Sequence, residues 1–231
     1  MARITRKELK SDRFALEVEH TVTFFEEHKA ELVRYGGIGA AVIVLIFGYS
    51  VYSGRQHAAR EAALARAIQV QEAQVGPPQP GVNTNFPTQE AKDQVALKTF
   101  SDLAAQYPGS DEGLIAEYYL GAIKADQGKL AEAERNFKDV ADRASSNYAS
   151  LAKLSLAQIY FADGRADQGE NTLRDLMSHP TIFVSKEQAT LTLARYLATR
   201  KPAEARKLLD PLRGENGAVG QEANRLYGDL Q

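Results

Sequence analysis

Gly128 to Phe137 reads GKLAEAERNF, and 36 residues later Gly164 to Leu173 reads GRADQGENTL. Arg200 to Leu209, RKPAEARKLL, is a third copy at the same step, with the glycine replaced and Pro202 where a first helical turn tolerates it. The step also holds column by column. Ala133, Gly169 and Ala205 align, as do Phe137, Leu173 and Leu209, and Val140, Leu176 and Leu212. Within one copy these positions lie four and then three residues apart, which is one face of an α-helix. Each copy is preceded by a second helical stretch: AEYYLGAIKADQ (116–127), AKLSLAQIYFAD (152–163) and QATLTLARYLAT (188–199). Small residues Gly121 and Ala157 recur there at one helix crossing. A partial earlier copy, VALKTFSDLAAQYPGS (95–110), supplies a helix of the second type and ends at Pro108. Ser185 with Gln188 makes a capping box opening the last full pair. GAVGQEANRLYGDLQ at 217–231 reads as a terminal capping helix.

A helix–turn–helix unit repeating every 34 to 36 residues resembles the tetratricopeptide repeat. Its physical logic is that each pair exposes an apolar face that only a stacked neighbour covers. The large aromatic expected early in the first helix is absent here, and a proline closing the unit survives only as Pro108 and Pro180. The expected fold is all-α, a tetratricopeptide-like solenoid of about three and a half to four helix pairs.

Working toward the N-terminus, GPPQPGVNTNFP at 76–87 holds four prolines and two glycines and reads as an exposed loop. Arg55 to Val75 is alanine-rich and free of breakers. Ala59, Ala62, Ala63, Ala67 and Val70 form a small-residue stripe suited to close helix packing. Ahead of it, Tyr35 to Gly54, YGGIGAAVIVLIFGYSVYSG, runs twenty residues without a charge between Arg34 and Arg55. As a helix it reaches about 30 Å, the hydrocarbon thickness of a bilayer. Tyr35, Tyr49 and Tyr52 sit at its ends, where amphipathic rings favour the headgroup layer. A core helix rarely runs that long without a polar face. A signal peptide would not carry 34 residues ahead of its apolar region. One transmembrane helix is expected, preceded by a second domain element at 1–34 and followed by the repeat domain at 55–231.

Within 1–34, residues 1 to 16 are polar and mixed in charge. Glu17 to Arg34 place Val18, Val22, Phe25 and Leu32 on one face, an amphipathic helix that either lies on lipid or docks a membrane partner. Orientation is not readable from charge: residues 1–34 hold seven Lys/Arg and seven Asp/Glu, while Lys29 and Arg34 face Arg55, Arg60 and Arg66 across the apolar run. A short tail and a long downstream domain favour a cytoplasmic N-terminus.

Apolar residues at 44% and charged ones at 25% suit a globular chain, and a net charge of −2 offers no basic field for nucleic acid. The absence of cysteine removes disulfides, thiolate metal sites and cysteine nucleophiles. His20, His28, His57 and His179 form no ligand pair at helical spacing, and neither a GxSxG nor a phosphate-binding glycine loop occurs. Acidic residues such as Glu132 and Glu134 read as scattered over solvated helix faces. No enzyme activity, cofactor, metal or small-molecule substrate is expected. Gly36/Ala40 and Gly37/Ala41 give small-xxx-small spacing within the apolar run, a weak signal for a second helix. What remains is a surface. Projecting tetratricopeptide geometry onto the spacing brings Tyr118, Asp126, Leu154, Gln158, Phe161 and Leu197 toward a peptide-binding groove lined by the first helices. For Leu154 and Phe161 the alternative is inter-repeat core.

The block TVTFFEEHKAELVRYGGIGAAVIVLIFGYSVYSGRQHAAREAALA (21–65), followed by such repeats, resembles the YfgM family of bacterial inner-membrane proteins. The resemblance covers most of residues 18–213. It implies an ancillary subunit of the SecYEG translocon, N-terminus in the cytoplasm and repeats in the periplasm. It implies partnership with the translocon, periplasmic chaperones and secreted polypeptides, and no catalytic residue. The alternative expectation is a scaffold for cell-envelope or division complexes using the same groove.

Overall fold

The structure, a computed structural model, describes residues 29–77 and 85–230. The tail at 1–16, the amphipathic stretch up to residue 28 and the middle of the proline-rich loop lie outside the described residues. The chain divides into two units, Met1–Ala58 and Ala59–Gln231.

In the first unit, helix α1 (Lys29–Glu72) begins and carries the whole Tyr35–Gly54 run. Large apolar side chains point out on every side, from Val33 and Ile38 through Leu45 and Phe47 to Tyr52. None of this apolar run is buried, which separates it from a soluble core helix. The segment is long and apolar enough to cross a membrane.

The second unit opens with the last turns of the same helix. Ala63, Leu64, Ala67 and Val70 pack with Ala96, Phe100, Leu103 and Ala104 of α2 (Gln89–Gln106) and with Ala116, Leu120 and Ile123 of α3 (Asp111–Asp126). The partial earlier copy therefore has its first helix after all, and it is the end of α1. Ala63, Ala67 and Val70 of the small-residue stripe supply that face, whereas Ala59 and Ala62 stay exposed. Between α1 and α2 the chain crosses the proline-rich loop, whose ends are tied. Gln74–Val75 (β1) pairs in parallel with Asn85–Phe86 (β2), the Asn85 side chain donates to the Pro77 carbonyl at 2.7 Å, and the Lys92 ammonium donates to the Gln71 carbonyl at 2.8 Å.

Three further pairs follow: α3 with α4 (Leu130–Arg143), α5 (Ser146–Ala162) with α6 (Ala166–Ser178), and α7 (Lys186–Leu197) with α8 (Pro202–Leu209). A 3-10 turn at Asp210–Gly214 and α9 (Ala218–Gly228) close the stack, with Ala223 and Leu226 buried against Ala194, Leu209 and Leu212. Second helices bury one stripe, as Ala133, Phe137 and Val140 do in α4. First helices bury several faces because neighbours surround them; α3 hides Leu114, Ala116, Leu120, Gly121 and Ile123. Among the described residues three apolar clusters straddle two pairs each, and a fourth joins the last pair to the closing turn and α9, so the pairs share their cores.

Local signals set the helix ends. Thr88, Ser110 and Ser185 cap α2, α3 and α7 by accepting from the third residue onward. The turns inside the second and third pairs need a left-handed residue, and Gly128 and Gly164 supply it, each at φ 75°. Lys129 N–H bonds Lys124 O at 2.9 Å and Arg165 N–H bonds Tyr160 O at 2.7 Å, the six-to-one bond of that motif. Arg200 has no such freedom, and the fourth turn closes differently, with Lys201 N–H reaching Leu197 O at 2.7 Å. Before α7 the 36-residue register assigns a first helical turn to 182–185. Pro180 and the branched residues Thr181, Ile182 and Val184 hold it open instead. The Thr181 hydroxyl accepts from Val184 N–H at 3.1 Å and meets the Ser150 hydroxyl at 2.7 Å, burying Val184 and leaving Ile182 89% exposed.

The repeat also carries ion pairs, which corrects the expectation of scattered, solvated carboxylates. Glu134 of α4 receives both terminal nitrogens of Arg165 at 2.7 and 2.8 Å and the Lys138 ammonium at 2.8 Å. One period later Glu170 of α6 receives Lys201 at 2.9 Å and Arg174 at 3.7 Å. All three columns keep the 36-residue step. The Arg165 guanidinium, and after it Lys138, hold the Glu134 carboxyl down at about 2 from its ordinary 4.5. A depressed carboxyl stabilises the fold above its unfolded value and loses that contribution as pH falls from 4.5 toward 2. Glu134→Gln is expected to cost about 2 kcal/mol at neutral pH and to flatten the acid limb of stability. Thermal unfolding of both proteins between those pH values is the check; parallel acid limbs would refute the assignment.

Candidate functional site

The six residues expected to line a groove fall into three environments. Leu197 is fully enclosed and Leu154 is 9% exposed, both in the cluster formed by α5, α6, α7 and α8. They are core in this structure, and neither offers a peptide much surface. Tyr118 and Phe161 are half-buried, and Asp126 and Gln158 are exposed.

Tyr118 joins a continuous series of rings. Phe100 of α2 stacks on Tyr119 at 4.8 Å, and Tyr119 meets Tyr118 edge-on at 5.8 Å. Tyr118 meets Tyr148 of α5 at 5.8 Å, and Tyr148 meets Phe183 ahead of α7 at 5.4 Å. One aromatic run thus crosses from the first pair to the fourth. Sequence reading missed Tyr119, Tyr148 and Phe183, because they do not share a column of the repeat. Burial raises the phenols of Tyr118, Tyr119 and Tyr148 above their ordinary range. They stay neutral hydrogen-bonding groups at any physiological pH.

Phe161 lies face to face with Tyr196 of α7 at 3.6 Å, and Arg200 caps that ring at 4.4 Å. A side chain at Gly169 would put its Cβ 2.3 Å from the Phe161 ring, so the ring covers bare backbone of α6. The stack joins two repeats, the alternative considered for this residue.

Asp126 and Gln158 come together. They line a pocket of about 250 Å³ where α3, α5 and the start of α4 meet, walled by Ala122, Leu130, Phe137 and Ile159. A larger cleft of about 960 Å³ lies where the open turn at 181–185 departs from α5 and α6. On its wall the Lys153 ammonium bonds Asp175 at 2.8 Å and holds that carboxyl below its usual range, with His179 Nδ1 at 3.1 Å on the other oxygen. Pro180 followed by TIFV was the sequence signal for that cleft. Among the described residues no group of three or more His, Asp or Glu is placed to hold a metal ion.

A comparison with curated proteins finds no match. Among solved structures, the chain is similar to a putative kinesin light chain of Podosopora anserina with nearly identical TPR-like repeats. Identity there is 14% over 74% of this chain and 92% of that one, with a TM-score of 0.51. A point variant of the same kinesin light chain gives 15% identity over 73% and 85%, with a TM-score of 0.53. At that identity the likeness is one of fold. The sequence itself matches the tetratricopeptide repeat-like domain over residues 24–207, and the chain belongs to that family.

Proposed function

We propose that this protein is a membrane-anchored adaptor that holds polypeptide segments against its helical repeats. The observation that carries the reading is the aromatic run of Tyr119, Tyr118, Tyr148 and Phe183, half-buried or exposed and backed by the buried Phe100, which offers rigid amphipathic area across successive helix pairs. It occurs in a chain whose α1 is long and apolar enough to span a bilayer. The finer form follows the YfgM-like order of parts. The N-terminus lies in the cytoplasm, Tyr35–Gly54 spans the inner membrane, and the repeats act in the periplasm beside the Sec translocon with chaperones and secreted polypeptides.

Affinity purification in mild detergent tests this form. The full chain recovers translocon subunits above an anchor-only control; equal recovery removes the translocon from the proposal. Protease added to spheroplasts tests the topology, since periplasmic repeats are cleaved from outside and cytoplasmic ones are protected. A photo-crosslinker at exposed Gln158 separates the two kinds of adaptor by its captured partner. Secreted chains support the translocon role, and envelope or division proteins support a scaffold.

A further inference from the structure

Resting on that reading, we infer that the pocket beside Asp126 selects a lysine or arginine side chain of the bound polypeptide. The pocket's walls are mostly apolar, with Ala122, Leu130, Phe137 and Ile159 beside Ser155, whose hydroxyl donates to the Leu151 carbonyl, and its exposed polar lining is Asp126 and Gln158. At about 250 Å³ it accommodates one long side chain and no folded element. Asp126 is exposed and has no ion-pair partner among the described residues. It is the last residue of α3, where the negative end of the helix dipole reinforces its charge. The adjoining cleft shares Asp126 and adds Glu90 and Asp93 against the single cation Lys129, so the field at the rim is negative. An alkyl stem with a cationic head matches this sequence of surfaces. Its methylenes lie along the apolar walls while its head meets Asp126 and the Gln158 carbonyl. A carboxylate entering the same pocket meets like charge and no basic lining residue.

The test uses the full chain in detergent micelles and fluorescent peptides blocked at both ends, identical except for one central residue. That residue is lysine, norleucine or glutamate, and blocking the ends removes the terminal amine as a rival cation. Anisotropy titration is expected to show the lysine peptide binding about tenfold more tightly than the norleucine peptide. Asp126→Asn is expected to erase that preference, and Asp126→Lys to move it to the glutamate peptide. Lysine and norleucine peptides binding alike, or a preference that survives Asp126→Asn, would overturn the inference and leave the adaptor reading standing. If none of the three peptides binds, the adaptor reading falls and the pocket assignment with it.

Discussion

Replacing Ala67 with glutamate lowers the stability of the repeat domain by about 3 kcal/mol or more. Ala67 has no exposed surface and lies among Ala96, Phe100, Leu103 and Leu120. A methyl is all the crossing of α1 over α2 admits there. A carboxylate would be buried without water, or the two helices would part. Parting them exposes the ring of Phe100, itself fully buried, and removes the cover that the first pair gives to α3. Ala62→Glu is the control, earlier on the exposed side of the same helix, and is expected to change stability by under about 0.5 kcal/mol. Urea unfolding of the two variants, with hydrogen exchange read at α2, makes the comparison. Equal midpoints would mean that the end of α1 is not the first helix of the stack.

Gly121→Ala is the second result to expect, and its sign is opposite to the usual one. Alanine inside a helix normally gains up to about 1 kcal/mol over glycine. Here the added Cβ would sit 2.9 Å from the Phe137 ring, which is 2% exposed and must shift to admit it. Overpacking of this kind costs about 1–3 kcal/mol, so a net loss near 1 kcal/mol is expected, rising to about 3 for Gly121→Leu. The rescue is visible in the next repeat. At the same columns Ala157 packs in one cluster with Leu173, so a larger residue on one helix goes with a smaller one opposite. Phe137→Leu alone leaves a cavity, but combined with Gly121→Ala it copies that pairing. The double variant should be more stable than the summed single losses by at least about 1 kcal/mol. Additivity would show that the two positions do not share one volume.

The columns that gave away the fold were those with a fixed chemical type at a fixed step. Phe137, Leu173 and Leu209 announce a buried face because nothing else keeps such residues in register. The end of α1 was harder to read, since the proline-rich loop separates it from α2 and breaks the period; only the stripe at Ala63, Ala67 and Val70 pointed to it. Glu134 was misread because its partner Arg165 lies in the following turn, and pairing across that distance has no local signature. The groove residues divide for a related reason. Column position says that Leu154 and Leu197 share a helix face with Gln158, but it does not say how closely the next pair closes over that face. The aromatic run had no periodic trace, because its members come from different columns and meet only through packing.

The paired columns at 134 with 165 and 170 with 201 give the α5–α6 pair a direction. That unit offers an acidic residue on one side and a basic one on the other, much as a tile carries a tongue and a groove. An extra copy of one period, spliced in frame inside the array, would find a cation waiting for its carboxylate and a carboxylate waiting for its cation. Insertions of any other length would bring opposite charges together only by accident. The array can therefore be lengthened by whole periods, and the number of stacked helix pairs is a quantity that duplication can change while keeping these ion pairs.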